Sequence, residues 1–466
     1  MFTLTIDDQL VPKIKSDTIS ILSQSGIELS YQPALKLLLE AGAKAKNGRV
    51  FFSEEMILDA VSRCPANVKI TGRDEKRIIN LGDGNLYCHN LGGASKVYDH
   101  NSKKTRPATI KDIIESAILL DSLDSVSSIT PLFTPTEVSG ELMTPTMIRH
   151  TLPHTTKPVH GPGVFTAKEV TYIHELTTVV GDPSEMITLG ISPESALRFP
   201  DHVVEAILRT ASLKIPFGPL PCPIAGATSP MSPYGSLAQQ NAEVIAAVII
   251  AQLKQPGVPI FYCGRLSSID PVTMKSRWSG PEVGMMSAVT VALGHSYRLP
   301  VNVYGITSTT IIDEQRTFER MSNALLPALA MADELSGIGE LECGQTSSLA
   351  QIVFDIDIID YIQHIRKGIR HDQEALEVID QVANSGGMFA DQPHTVKHLR
   401  SVTPPSIAYK FHEQAQLREG SLDWANNRAS QILKAHQVPP LEKQQIEEMD
   451  RIMKSADKEA KRDTLP

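Results

Sequence analysis

Aromatic residues are scarce in this chain: two tryptophans, ten tyrosines and twelve phenylalanines among 466 residues. Sugar sites usually expose more tryptophan, so the acidic residues Glu194 and Glu342 make a weak glycosidase pair. Cysteine is scarcer still, with five scattered residues and no C-x-x-C pair. That argues against a disulfide framework and suits a reducing compartment. Basic excess is absent too: 44 Lys and Arg face 53 Asp and Glu, a net charge of -9. Nucleic acid and an anionic membrane surface are therefore disfavoured as partners. No apolar run approaches the roughly 18 residues of a spanning helix. The opening MFTLTIDDQL puts no basic stretch before an apolar core, so the cytoplasm is the expected location. G-x-S-x-G, H-E-x-x-H and P-loop patterns are missing as well.

What the chain has is alternation. Its first seventy residues read as helices: DTISILSQSGIEL, QPALKLLLEAGAKA and SEEMILDAVSRCP carry apolar residues at three- and four-residue spacing. From about Leu86, short apolar runs alternate with amphipathic helices. The runs are NLYCHNLGG, SVSSITPLF, KPVHGPGV, MITLGISPES, IPFGPLPCPIAG, PIFYCGRLSS, PVNVYGITST and IGELECGQTS. Continuous apolar strands suit a sheet buried on both faces. Eight strand–helix units at this length predict an α/β protein with a (β/α)8 TIM-type barrel. The expected domains are an N-terminal helical region over 1–80, the barrel over 81–369 and a C-terminal helical extension over 370–466. The final LEKQQIEEMDRIMKSADKEAKRD reads as an exposed helix that frays. AEVIAAVIIAQL suits barrel packing or a subunit contact, and a homo-oligomer is expected.

Barrel sites lie at the carboxyl ends of the strands. Those ends offer Tyr87, His89, Asn90, Phe133, His160, Ser192 and Glu194. Further along come Cys222 through Tyr234, then Tyr262, Cys263, Arg265, Tyr304, Ser308, Glu342, Cys343 and Gln345, with Trp278 in the long loop after the sixth strand. Tyr87, Tyr234, Tyr262, Trp278 and Tyr304 are candidates to wall a cation pocket through their ring faces, or simply to pack the barrel top. Cys88, Cys222, Cys263 and Cys343, in or just after strands, are zinc candidates, or small buried hydrophobes. His89 and His160 are candidate general bases or ligands, or structural hydrogen-bonding residues. The uncharged, proline-rich GPLPCPIAGATSPMSPYGS, Gly218 to Ser236, is expected to lie across the mouth as a wall of the site, with Tyr234 its main contact.

Several phrases occur in the order and spacing of one family: ILSQSGIEL, ALKLLLEAGAKAKNGRVFFSEEMILDAV, GGASKVYDHNSKKTRPATIKDI, ALLPALAMADELSGIGELECGQTSSLAQIVFDIDII and GGMFADQPHTVKHLR. Over nearly its full length the chain resembles the trimethylamine methyltransferase family. The resemblance implies a (β/α)8 barrel that moves a methyl group from an amine to the Co(I) centre of a separate corrinoid-binding protein. It implies no cofactor or metal bound by this chain itself; the corrinoid (cobalamin) travels on the partner. The family's founding branch uses pyrrolysine, and this chain has only ordinary residues, so it resembles the branch acting on quaternary amines such as glycine betaine, proline betaine and carnitine.

From strand-end position rather than from the family, Glu194 or Glu342 is expected to back the cation. Arg265, or His89, Asn90 and Gln345, are candidates to hold a substrate carboxylate. A quaternary nitrogen leaves as a neutral tertiary amine, so no catalytic general acid is required. The alternatives are a zinc-dependent betaine–thiol methyltransferase and a non-catalytic betaine-binding barrel.

Overall fold

The computed structural model describes residues 3–138, 140–402 and 420–463. Eight parallel staves form a ring: β1 (Tyr87–Asn90), β2 (128–129), β3 (Val159–Val164), β4 (Ile187–Ile191), β5 (Phe217–Pro219), β6 (Tyr262–Gly264), β7 (Val301–Tyr304) and β8 (Glu334–Ile338). β2 is held by single bridges, Ser128 to His89 and Ile129 to Val159. Phe217 bridges to Ile260 just ahead of β6. β8 pairs with β1, Glu334 opposite Tyr87, and closes the barrel. Each stave leads to a helix, the first Ile110–Asp121 and the last Leu349–Lys367. The expected fold class is the observed one.

The strand parity decides what faces where, because successive side chains on a strand point to opposite sides. Cys88, Tyr262, Val301, Val303 and Leu335 point outward into the apolar layer under the helices. Gly264 shares that face; a Cβ there would lie 2.5 Å from the Gln240 side chain and 2.7 Å from that of Thr290. Only glycine allows the helices this approach. The hairpin Val68–Thr71 with Ile78–Leu81 packs its buried residues on Phe261 and Cys263, beside Tyr87 and Leu220. It stoppers the amino-terminal end of the barrel.

Three expectations change. The first eighty residues hold the helices Leu10–Ser20, Gln32–Glu40 and Glu54–Ser62, but also a small sheet from 27 to 51 and the hairpin. The eighth strand begins four residues earlier than IGELECGQTS suggested. Ala-rich helical periodicity ran up to Asp333, but helix Glu314–Leu329 stops short and Met331 turns at φ 73°. The final helix, Lys443–Asp463, does not stand free. Met449, Ile452 and Ala456 are buried, Asp450 accepts from Arg149 (2.8 Å), and Glu459 accepts from the Tyr172 hydroxyl (2.8 Å). Its charges line one face only, and the other docks on the barrel helices.

The helix Pro233–Lys254 that carries AEVIAAVIIAQL is buried from Ser236 to Gln252. Helices Leu10–Ser20, Glu54–Ser62, Asp201–Ser212 and Pro281–Ser296 surround it. Packing within the chain accounts for its apolar character. Among the described residues no helix is long and apolar enough to cross a membrane.

Candidate active site in the barrel interior

The inward-facing residues enclose a cavity of about 90 Å³, sized for a small molecule rather than a nucleotide. Its lining is mixed: His89, Asn90, Thr130, His160, Thr188, Arg265, Asn302, Tyr304 and Ser336 stand among the apolar Leu91, Pro162, Leu189, Leu220, Phe261 and Cys263.

Glu334, the first residue of β8, lies at the base of this arrangement and is fully buried. One carboxylate oxygen accepts from His160 Nε2 (2.7 Å) and the Ser128 hydroxyl (3.1 Å); the other accepts from Asn302 Nδ2 (2.5 Å). Burial alone would raise its pKa, but His160 beside it and the His160 and Asn302 hydrogen bonds prevail and hold it well below the usual carboxylate range. It is an ionised carboxylate at neutral pH.

His89 is its opposite. Burial, helped by His160 and Arg265 and opposed by Glu334, pushes its pKa down to about 3. The ring is neutral, so it lends Glu334 no charge. The Asn302 amide is oriented on both sides: its oxygen accepts from Arg265, and its nitrogen donates to Glu334. The same nitrogen lies 2.9 Å from His89 Nε2, which must therefore be the acceptor. His89 Nδ1 then carries the proton and donates to the Thr130 hydroxyl (3.1 Å). His160 differs: its Nε2 carries a proton and donates to Glu334, and its Nδ1 bonds to the Thr188 hydroxyl.

Arg265 reaches down from the end of β6. Its Nη atoms donate to the backbone oxygens of Gly264 (3.2 Å) and Asn302 (3.1 Å), and to the Asn302 side chain. The guanidinium lies 4.1 Å from the centre of the Tyr304 ring, and Trp278 meets that ring edge-on at 5.4 Å. Arg265 Nε is buried with no partner, an exception to the rule that buried donors are satisfied.

Of the residues expected from strand ends, the structure brings together His89, Asn90, His160, Cys263, Arg265 and Tyr304 in the cavity, with Trp278 behind Tyr304. Asn90 plays a local part: its side-chain amide donates to the Thr130 carbonyl (2.6 Å) and accepts from the Thr130 N–H (3.0 Å). The others lie elsewhere. Tyr87 is at the stoppered end, donating to Asp83 (2.8 Å). Phe133 is fully buried beside Ala94. Tyr262 is on the outer face, its hydroxyl on Asn241 (3.0 Å). Glu194 pairs with Arg198 at the surface (3.2 Å). Glu342 accepts from Thr346 (2.7 Å), and Gln345 is exposed.

Tyr234 donates to Asp17 of the first helix (2.5 Å). The stretch Gly218–Ser236 therefore touches the cavity through Leu220 and not through Tyr234. The aromatic cage is thus corrected to one tyrosine, whose face Arg265 already covers. Among the described residues no cysteine belongs to a cluster of three potential metal ligands; Cys222 turns to Leu220 O and Cys343 to Ser276 O.

Glu334, Asn302, Thr130, Thr188 and Ser128 were not expected. Asn302 and Tyr304 alternate with two valines in VNVY, a period-two signal for an inner polar face. Glu334 had no such signal, because its strand was placed too late.

A closed parallel barrel with a small cavity at its carboxyl ends defines a TIM-type barrel enzyme. The trimethylamine methyltransferase family profile matches residues 2–460. The chain belongs to that family, hence to the methyltransferases, in the branch without pyrrolysine. It is 27% identical over 465 residues to a trimethylamine methyltransferase of Methanosarcina barkeri, covering 95% of this chain and 92% of the relative. A glycine betaine methyltransferase of Desulfitobacterium hafniense is 25% identical over 460 residues, covering 94% of each. The solved Methanosarcina barkeri monomethylamine methyltransferase superposes with a TM-score of 0.52 at 12% identity, covering 100% of this chain and 96% of that one. That likeness concerns the fold alone.

Proposed function

We propose that this enzyme moves a methyl group from a small carboxylated quaternary amine, of the glycine betaine type, to Co(I) of a corrinoid held by a partner protein. The observation that carries the reading is the buried, unpartnered Nε–H of Arg265. A substrate carboxylate would satisfy that donor and form a charge-assisted bond. With its carboxylate on Arg265, the molecule turns its N-methyl groups toward the open carboxyl end of the barrel, where the corrinoid approaches. The chain's task is to hold one N–CH3 bond in line and exclude water. Co(I) supplies the electron pair for the new bond. The N–CH3 pair stays on nitrogen, and a neutral tertiary amine leaves without needing a proton. Burial pushes the Cys263 thiol up to about 11, so it stays protonated and is no rival nucleophile.

Anaerobic incubation with cob(I)alamin and glycine betaine, proline betaine, carnitine or trimethylamine tests this through methylcobalamin absorbance. Methylation from a carboxylated quaternary amine supports the reading, and a flat response to all of them overturns it. Betaine binding without transfer leaves a non-catalytic betaine-binding barrel. Transfer to a thiol without cobalamin leaves the betaine–thiol enzyme.

A further inference from the structure

His89, His160 and Glu334 come from β1, β3 and β8, and their side chains converge inside the barrel. One donor atom from each lies within 4.8 Å of the other two. His160 Nε2 is 2.7 Å from one Glu334 oxygen, and His89 Nε2 is 3.9 Å from the other. Tetrahedral ligands about 2.0–2.1 Å from an ion lie some 3.3 Å apart, so ångström-scale side-chain shifts complete the geometry.

Both rings are fixed as metal-bound imidazoles are. Each turns Nδ1 to a threonine hydroxyl on the next stave, Thr130 or Thr188, and directs Nε2 inward. Orientation of this kind by outer partners is typical of metal-ligating histidine. His89 Nε2 already presents a lone pair, since the Asn302 amide donates to it. That amide bridges His89 and Glu334, supplying hydrogens where a cation would supply charge.

We propose that His89, His160 and Glu334 hold a divalent first-row transition-metal ion on the barrel axis. Two imidazoles and one carboxylate suit zinc or ferrous iron, and three protein ligands leave positions open. Arg265 stands beyond Asn302, so the loaded cavity carries net positive charge. The ligand it takes in an open position is an oxygen anion, a carboxylate or hydroxide. The inference goes beyond methyl transfer, and its readout needs neither amine nor corrinoid.

A second cluster, Asp372, His394 and His398, lies in the C-terminal extension and must be disabled first. Full-length Asp372→Asn/His394→Gln protein, stripped with a chelator and titrated with Co2+, is expected to bind one equivalent with visible d–d bands. Extended X-ray absorption of the zinc-loaded form is expected to show two imidazoles with oxygen and no sulfur. Absence of Co2+ binding, a sulfur shell or a count of no imidazoles overturns the assignment. His89→Gln, if folded by circular dichroism, is expected to weaken Co2+ binding at least 10-fold; unchanged binding overturns it. If that variant does not fold, the absorption spectrum decides alone. A protein that binds metal but moves no methyl group sinks the methyl-transfer reading and leaves this one standing, and the converse also holds.

Discussion

The two faces of the barrel wall are made of the same strands and carry opposite chemistry. On β6 and β7 the outward residues are Tyr262, Gly264, Val301 and Val303, packed under helices; the inward ones are Cys263, Asn302 and Tyr304, with Arg265 next beyond β6. Glu334 and Leu335 divide in the same way on β8. The difference teaches that nearness to a strand's carboxyl end nominates a residue, and parity then admits or rejects it. Tyr262 and Cys263 are neighbours in sequence, yet only Cys263 lines the cavity.

The comparison predicts unequal costs for substitutions on the two faces. Glu334→Ala, on the inner face, leaves His160 Nε2, the Ser128 hydroxyl and one amide hydrogen of Asn302 facing no acceptor. It is expected to cost about 3–5 kcal/mol of stability in urea denaturation and to abolish methyl transfer. A loss below 1 kcal/mol would mean the inner network is not what holds the staves together.

Acid should strike the inner face next. The folded pKa of His89 is depressed to about 3 from 6.5, so its contribution is whole above pH 6.5 and fades as pH falls toward 3. Glu334, also depressed, gives way below its ordinary range. With chelator present, wild-type denaturation midpoints are expected to fall steadily from pH 6.5 to 3, and His89→Gln to flatten that slope. Parallel slopes would contradict a neutral buried His89.

Tyr262→Phe, on the outer face, removes one hydrogen bond to Asn241. It is expected to cost about 1 kcal/mol of stability with KM unchanged. A raised KM would return Tyr262 to the site. Glu194→Ala, at the surface, breaks an exposed pair with Arg198 and is expected to move stability by less than about 1 kcal/mol, with no effect on turnover.

The barrel was legible because buried parallel strands and amphipathic helices leave different periodicities, although the helix Pro233–Lys254, buried from Ser236 to Gln252, carries no polar stripe there. The site was legible only in part. His89, His160, Arg265 and Tyr304 stood out as polar or aromatic residues ending apolar runs. Glu334 did not, because it begins its strand directly after an Ala-rich stretch that keeps a helical rhythm to Asp333. Tyr234 and Glu194 misled because strand ends in loops are free to turn outward, to Asp17 and Arg198. No local pattern records that choice.

The central claim is that the barrel interior, through Arg265, receives a substrate carboxylate. Calorimetric binding of glycine betaine to wild type, Arg265→Gln and Tyr262→Phe tests it most directly. The account predicts affinity reduced about 10- to 100-fold in Arg265→Gln, as for a lost charge-assisted hydrogen bond, and unchanged in Tyr262→Phe. Equal affinity in wild type and Arg265→Gln would contradict it.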